Sequence, residues 1–427
     1  MDIQNKYNAK NTTTVPTTNK EMSSETHEGA LRAEPLTFWE GVSIIVGCNL
    51  GAGILSLAYA SRKAGWPVLV TCLVVAGICT TISMLYLAEV TFRTKKPLQL
   101  SGLAEKYLGK LGSWAIFIAV TINALGCLIA YTTGSGEILC DLFGIPPLLG
   151  SLLFFIPAVG VIWVGLKCIG TAEKYILAGM FVLLGLLIVA TFIGPGINIE
   201  YITFYNIYYS IPVFSMTIFC YVSQYCVPEL ARGFVASGNA KKLPAAITTG
   251  MVTTGLILAI VPAVALGLSG PDNISEIATI SWGKALGQWA AFVANGFALC
   301  SMLTSFWAIG GTYFTNIIDK LKFPSESDPK YRTIAILIMA VPPFLLAYSK
   351  FGSFVNALYF AGAYAGAIMS ILPVLMLKKA RKLGDKEPEW TSGALAHPII
   401  QSIIIILYCG GAVYATLSLM NILPQGW

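Results

Sequence analysis

Eleven apolar stretches run through this chain, at residues 41–60, 67–90, 112–136, 147–165, 174–194, 207–228, 246–268, 287–313, 331–349, 353–376 and 397–421. Each is close to the roughly 20 residues an α-helix needs to cross the hydrocarbon layer of a lipid bilayer. A backbone in lipid must satisfy its own hydrogen bonds, and runs this long are not the short alternating strands of a barrel, so the stretches read as helices. With 56% of 427 residues hydrophobic and 11% charged, the chain lacks the polar surface of a water-soluble fold. The expectation is an all-α polytopic membrane protein with eleven transmembrane helices in one membrane domain, preceded by a polar tail. That tail, residues 1–35, has no apolar core or cleavage motif and reads as a disordered cytoplasmic segment, not a signal peptide.

Lysine and arginine set the orientation. The tail and alternate connections hold 23 of them, and the opposite face holds 4, namely Arg62, Lys63, Lys284 and Lys350. Positive residues stay inside, so the N-terminus is expected in the cytoplasm and the C-terminus outside, as for a multi-pass protein of the cell membrane. Arg62 and Lys63 follow the first span closely and read first as snorkelling side chains, second as part of an outer mouth. The net charge of +6 then reflects topology and gives no support to nucleic-acid binding. Two histidines, His27 and His397, exclude chemistry built on clustered imidazoles, and the ten cysteines, among them Cys168, contain no CxxC pair and read as small buried hydrophobes.

Two spans are interrupted. Span one carries Gly47-Cys48-Asn49-Leu50-Gly51-Ala52-Gly53, with three glycines and an asparagine in seven residues. Gly47 and Gly51 fit a GxxxG packing surface, and each glycine weakens a helix by about 1 kcal/mol relative to alanine. The Asn49 amide beside Gly51 and Gly53 also suits an unwound turn that shows backbone amides and carbonyls to a cavity. Span six places Thr217, Tyr221, Ser223 and Gln224 between Pro212 and Pro228, which suits either a proline kink or a second unwound turn. Interruptions at matching places in two sets of five spans point to an inverted-repeat transporter, with repeat one at about 41–194, repeat two at about 207–376 and an extra helix at about 397–421.

The elements GCNLGAGILSLAYA (47–60), CVPELARG (226–233), Thr304-Ser305-Phe306, Phe354-Val355-Asn356-Ala357-Leu358 and Ile371-Leu372-Pro373 resemble the amino acid/auxin permease branch of the amino acid, polyamine and organocation transporters. The hydroxy and aromatic amino acid permeases are the most similar group. The resemblance covers about residues 36–421 and implies the five-plus-five LeuT-type fold and alternating-access transport of a neutral L-amino acid. Ala58 stands where that family usually has a proline, and Tyr221-Val222-Ser223 replaces the small residue often found at the span-six break.

A free amino acid presents a carboxylate, an ammonium and a side chain. A helix restarted in mid-membrane offers unpaired amides and a positive dipole end to a carboxylate, here near Gly51, Ala52 and Gly53. The resemblance implies a substrate site made of these residues with Asn49, Thr217, Phe219, Cys220, Tyr221, Val222 and Ser223. The upstream half-helix ends with carbonyls near Gly47 and Leu50, at the negative dipole end. In span eight, Ser301, Thr304 and Ser305 share one helix face. Such hydroxyls commonly bond back to their own helix; the resemblance implies instead that they join the Gly47 and Leu50 carbonyls around sodium. The coupling ion stays open between sodium and proton, although span five from Tyr175 to Ile193 has no basic side chain to replace sodium. No other cofactor is implied.

Glu40, Glu89, Glu173 and Glu229 fall near expected cytoplasmic span ends, where hydration is cheap, and are expected to make gate or loop salt bridges, Glu229 with Arg232. Glu137 lies near the outer end of span three. With no acid near mid-membrane and no clustered histidines, an enzyme is disfavoured. Without a repeated filter or charged ring, so is a channel. No GxxxxGK[ST] motif is present, so an ion or substrate gradient must supply the energy. The remaining alternative is an amino-acid sensor that keeps the transporter fold and signals through the tail.

Overall fold

The computed structural model describes residues 35–164, 169–324, 328–349 and 353–427, with the side chains of 169–175, 177 and 319 left aside. The polar tail, Cys168, Lys350 and the Glu173 side chain lie outside what is described. Among the described residues the chain is helical with no strand.

Thr37 and Glu40 start the first helix with a capping box, in which the Thr37 amide donates to Glu40 Oε2 at 2.8 Å and the Glu40 amide to Thr37 Oγ1 at 3.4 Å. That helix, α1 (Phe38–Asn49), is followed after two residues by α2 (Ala52–Ala60), and the pair bends by 50°. Then come α3 (Trp66–Phe92), α4 (Leu100–Phe143), α5 (Pro147–Val164) and α6 (Ile169–Ile193). Within α4, Gly109 takes φ 76°, a left-handed conformation that separates a short leading segment from the long apolar one. A second broken span consists of α7 (Ser210–Phe219) and α8 (Val227–Ala236). It is followed by α9 (Leu243–Ser269), α10 (Ala278–Leu286), α11 (Gln288–Lys320) and α12 (Pro329–Tyr348). The last elements are α13 (Phe354–Phe360), a π-helical segment Ala361–Gly366, α14 (Ala367–Leu383) and α15 (Pro398–Leu419).

Nine of the described helical segments are long and apolar enough to cross a membrane, and the bent α1–α2 pair makes ten. The expected fifth span, 174–194, corresponds to α6, in which the apolar stretch Ala178–Ile193 is shorter than the others.

Burial ranks the spans. The span containing α7 and α8 is 83% buried along its apolar window, and α15 is 28% buried, so the broken helix is central and the added one peripheral. Around α7 pack α3, α2, α13, the π segment and α15. Beside them α4 crosses α5, α11, α13 and α14. It runs antiparallel to α11, because Lys320 reaches Ser113 at 3.2 Å near one end and Asn295 reaches Asp141 at 3.1 Å near the other.

The chain after α15 folds back over α13, where Trp427 Nε1 donates to Asn356 Oδ1 at 3.0 Å and the Trp427 ring meets Tyr359 edge-on at 4.9 Å. Elsewhere Asp385 pairs with Lys106 and accepts the Lys95 amide at 3.2 Å, and these partners hold its carboxyl below the ordinary range.

Candidate functional site at the two broken helices

The turn between α1 and α2 is made by Leu50 (φ −84°, ψ 49°) and Gly51 (φ −93°, ψ −142°). Space around Gly51 excludes a side chain. A Cβ on Gly51 would lie 2.7 Å from Ser305 Oγ and 3.3 Å from the Tyr131 hydroxyl. That hydroxyl also lies within the electrostatic reach of the Ala52 amide and of the Ser305 hydroxyl. The first free amide of α2 is thus met by a tyrosine from α4 and a serine from α11.

The second break follows Phe219, where Cys220–Ser223 leave the helix before a 3-10 turn at Gln224–Cys226 leads into α8. A Cβ on Gly53 would lie 2.5 Å from Cys220 Sγ, so the two interruptions touch. Pro228 opens α8 within its first turn, where a missing N–H costs nothing.

The structure therefore brings Gly51, Ala52, Gly53, Cys220 and Ser305 together, and Ser301 Oγ donates to the Leu50 carbonyl at 3.3 Å. Thr304 Oγ1 turns back to its own helix, to Cys300 O and Ser301 O at 3.1 Å each. Gly47 is half-buried in the last turn of α1. Asn49 faces α9, its Nδ2 donating to Met251 Sδ at 3.5 Å, and its buried Oδ1 has no partner.

Other span-six residues point elsewhere. Thr217 Oγ1 bonds Phe214 O at 2.7 Å and Cys72 O at 3.5 Å, toward α3. Tyr221 is inserted between Gly77 and Gly255, whose added Cβ atoms would lie 3.1 and 2.7 Å from it. Ser223 Oγ meets Met84 Sδ at 3.7 Å. Phe219 rests on Gly362 and Val222 on Gly366, both in the π segment of span ten. Two features went unread in the sequence. Tyr131 is the lone tyrosine of the 112–136 run, and the π segment has its signal in the small-residue string Ala361-Gly362-Ala363-Tyr364-Ala365-Gly366.

The acids sort clearly. Glu89 is fully buried, not hydrated as its place at a span end suggests. Its carboxylate accepts Arg93 Nε at 3.0 Å, Arg381 Nε at 2.9 Å, Arg381 Nη2 at 3.0 Å and the Ser392 amide at 2.7 Å. Arg232 lies in the field of Glu229 and donates to Leu98 O at 3.1 Å. Glu137 feels the charge of Glu276, whose carboxylate accepts the Val355 amide of α13 at 3.2 Å. The Arg62 guanidinium lies over the Tyr59 ring at 4.2 Å.

Residues 35–414 match the tryptophan/tyrosine permease family. The chain belongs to that family. Among its relatives, a tyrosine permease of Enterobacter agglomerans is 23% identical over 418 residues, covering 90% of this chain and 97% of the relative. A tyrosine-specific transport system of Haemophilus influenzae is 25% identical over 383 residues, 85% of this chain and 93% of the relative. A tryptophan-specific transport protein of the same organism is 23% identical over 376 residues, 80% and 87%. The crystal structure of MhsT in complex with L-phenylalanine aligns with a TM-score of 0.65 at 14% identity, covering 92% of this chain and all of that one. This likeness shows a shared LeuT-type fold. Membership of a permease family makes the chain a multi-pass membrane transporter of the amino acid class, and not an enzyme.

Proposed function

We propose that this permease carries an aromatic L-amino acid across the cell membrane by alternating access, with the substrate carboxylate at the Gly51–Ala52 turn. The observation that carries this is the convergence of the Ala52 amide, the Tyr131 hydroxyl and Ser305 on one point at the start of α2. An N–H group and two hydroxyls at a positive helix end suit a carboxylate. The names of the tyrosine and tryptophan transport relatives support an aromatic side chain.

The reading extends to residues whose roles follow from position. Gly53 and Cys220 border the same point; the Asn49 side chain turns to α9, and Thr217, Phe219, Tyr221, Val222 and Ser223 hold the second break in place through their contacts with other helices. For the coupling ion, Ser301 Oγ and the Leu50 carbonyl, 3.3 Å apart, with Gly47, Thr304 and Ser305 nearby, form an oxygen-only set suited to sodium. A proton is the other reading. Either way, one positive charge entering gains about 2.3 kcal/mol per 100 mV. The N-terminus is assigned to the cytoplasm and the C-terminus to the outside, with repeats at about 41–194 and 207–376 and a helix at about 397–421 added to them.

Uptake of labelled tyrosine and tryptophan into proteoliposomes, with sodium and pH gradients imposed separately, tests the proposal. Accumulation above equilibrium, and exchange of labelled for unlabelled substrate, are expected of a carrier. Binding without either would favour the sensor.

A further inference from the structure

Eight residues before Tyr131 on α4, Asn123 is only 5% exposed, and its Oδ1 meets no hydrogen-bond donor. It lines a cavity of about 10 Å³ with Val120, Tyr225, Ile309, Thr312 and Met369. That is room for about one water-sized group. Buried amide oxygens without a donor are uncommon, and each calls for something that satisfies it. Nothing lining the cavity does so: Thr312 Oγ1 spends its hydrogen on Ala308 O at 2.8 Å.

The cavity lies below the proposed carboxylate position. Asn123 is two helical turns from Tyr131, and Thr312 is two turns from Ser305. Because α4 and α11 are antiparallel, both steps lead the same way, by about 12 Å and about 10 Å at 1.5 Å per residue. Side chains lean toward the helix N-terminus, so the Tyr131 hydroxyl already covers part of the distance along α4. From ordinary bond lengths, a tyrosine substrate spans about 8 Å from carboxyl carbon to phenolic oxygen. Tyr225 ties the cavity to the second break, since it lines the cavity and lies in the 3-10 turn at Gln224–Cys226.

We infer that this niche reads the far end of the substrate side chain, with the Asn123 amide accepting the phenol O–H of tyrosine or the indole N–H of tryptophan. Val120, Ile309 and Met369 wall the niche with apolar groups, so that it admits only the terminal polar group of the side chain. Phenylalanine leaves the amide unpaired, and a site built around a hydrogen bond rejects the analogue that lacks it. The inference rests on the aromatic-permease reading and adds to it a residue that sets specificity.

The test is uptake competition in proteoliposomes, with tyrosine, tryptophan, phenylalanine, 4-aminophenylalanine and 4-fluorophenylalanine against labelled tyrosine. Wild type should favour the donor-bearing ligands, 4-aminophenylalanine included, over phenylalanine and its fluoro analogue by about tenfold or more. Asn123→Leu should collapse the tyrosine-to-phenylalanine ratio toward one. An equal fall for all ligands that preserves the ratio would make Asn123 a packing residue and overturn the inference. So would a wild type that carries all five equally, while leaving the aromatic-permease reading intact. Failure to carry any aromatic amino acid would sink that reading itself. If Asn123→Leu does not reach the membrane, the wild-type comparison of the amino and fluoro analogues still decides.

Discussion

Replacing Gly53 by alanine presses directly on the contact between the two broken helices. The added Cβ would lie 2.5 Å from Cys220 Sγ, 3.3 Å from Cys220 Cβ and 3.4 Å from its Cα. Unstrained carbon contacts sit at about 3.5–4.0 Å, so the sulfur must retreat by about 1 Å. Cys220 is 1% exposed, and its thiol donates to the Met216 carbonyl at 3.4 Å, so no open space receives it. Overpacking of this kind costs about 1–3 kcal/mol. That converts to roughly 5- to 150-fold in any step that needs the two breaks in contact. Gly53→Ala is expected to slow uptake by that factor at near-normal surface amount, and Gly53→Val to abolish it. Cys220→Ala removes the sulfur and leaves the nearest atom at 3.3 Å, so the double variant should regain most of the rate. The assay is the initial rate of labelled tyrosine uptake, normalised to protein at the cell surface. Full activity of Gly53→Ala, or a double variant as slow as the single one, would refute the reasoning.

Three further outcomes are expected. Ser301→Ala, which removes the hydroxyl bonded to Leu50 O, should weaken sodium dependence more than Thr304→Ala, whose hydroxyl is engaged by its own helix; uptake driven by a pH gradient in sodium-free buffer and indifferent to Ser301→Ala would make the proton the coupling ion. Glu89→Gln leaves two arginines facing a neutral group, and because Arg381 is 37% exposed and Arg93 16%, the loss should fall at or below the low end for broken buried pairs, about 2–3 kcal/mol; thermal unfolding in detergent reads it, and an unchanged midpoint would show the cluster to be dispensable. Arginine and glutamate should compete poorly with tyrosine, since an unpaired side-chain charge in a dry site costs several kcal/mol; equal competition would contradict an uncharged pocket.

Both breaks were legible in the sequence for local reasons. Gly51 and Gly53 lower helix propensity where a span should be continuous, and Pro228 suits the first turn of a helix, where a missing N–H costs nothing. Glu89 was legible only in part. Its place at a span end suggested hydration, yet Arg381, nearly three hundred residues away in the chain, and the Ser392 amide cover it. Hydropathy sees the neighbours of a residue along the chain, whereas desolvation is decided by neighbours in space.

The facing of the span-six side chains was not legible, and the reason lies in the solvent. A soluble helix announces its buried side through an apolar stripe, but a central membrane helix is apolar all round and carries no such stripe. What orients α7 and the break after it is a set of sockets on other helices. Gly77 and Gly255 leave room for Tyr221, Gly362 and Gly366 receive Phe219 and Val222, and Gly53 admits Cys220. Each socket is a missing Cβ that lets a side chain or backbone approach closely, as small residues do throughout membrane helix packing. The rotation of span six is therefore written in the glycines of spans one, two, seven and ten, and filling one socket should turn neighbouring side chains as well as the one it receives.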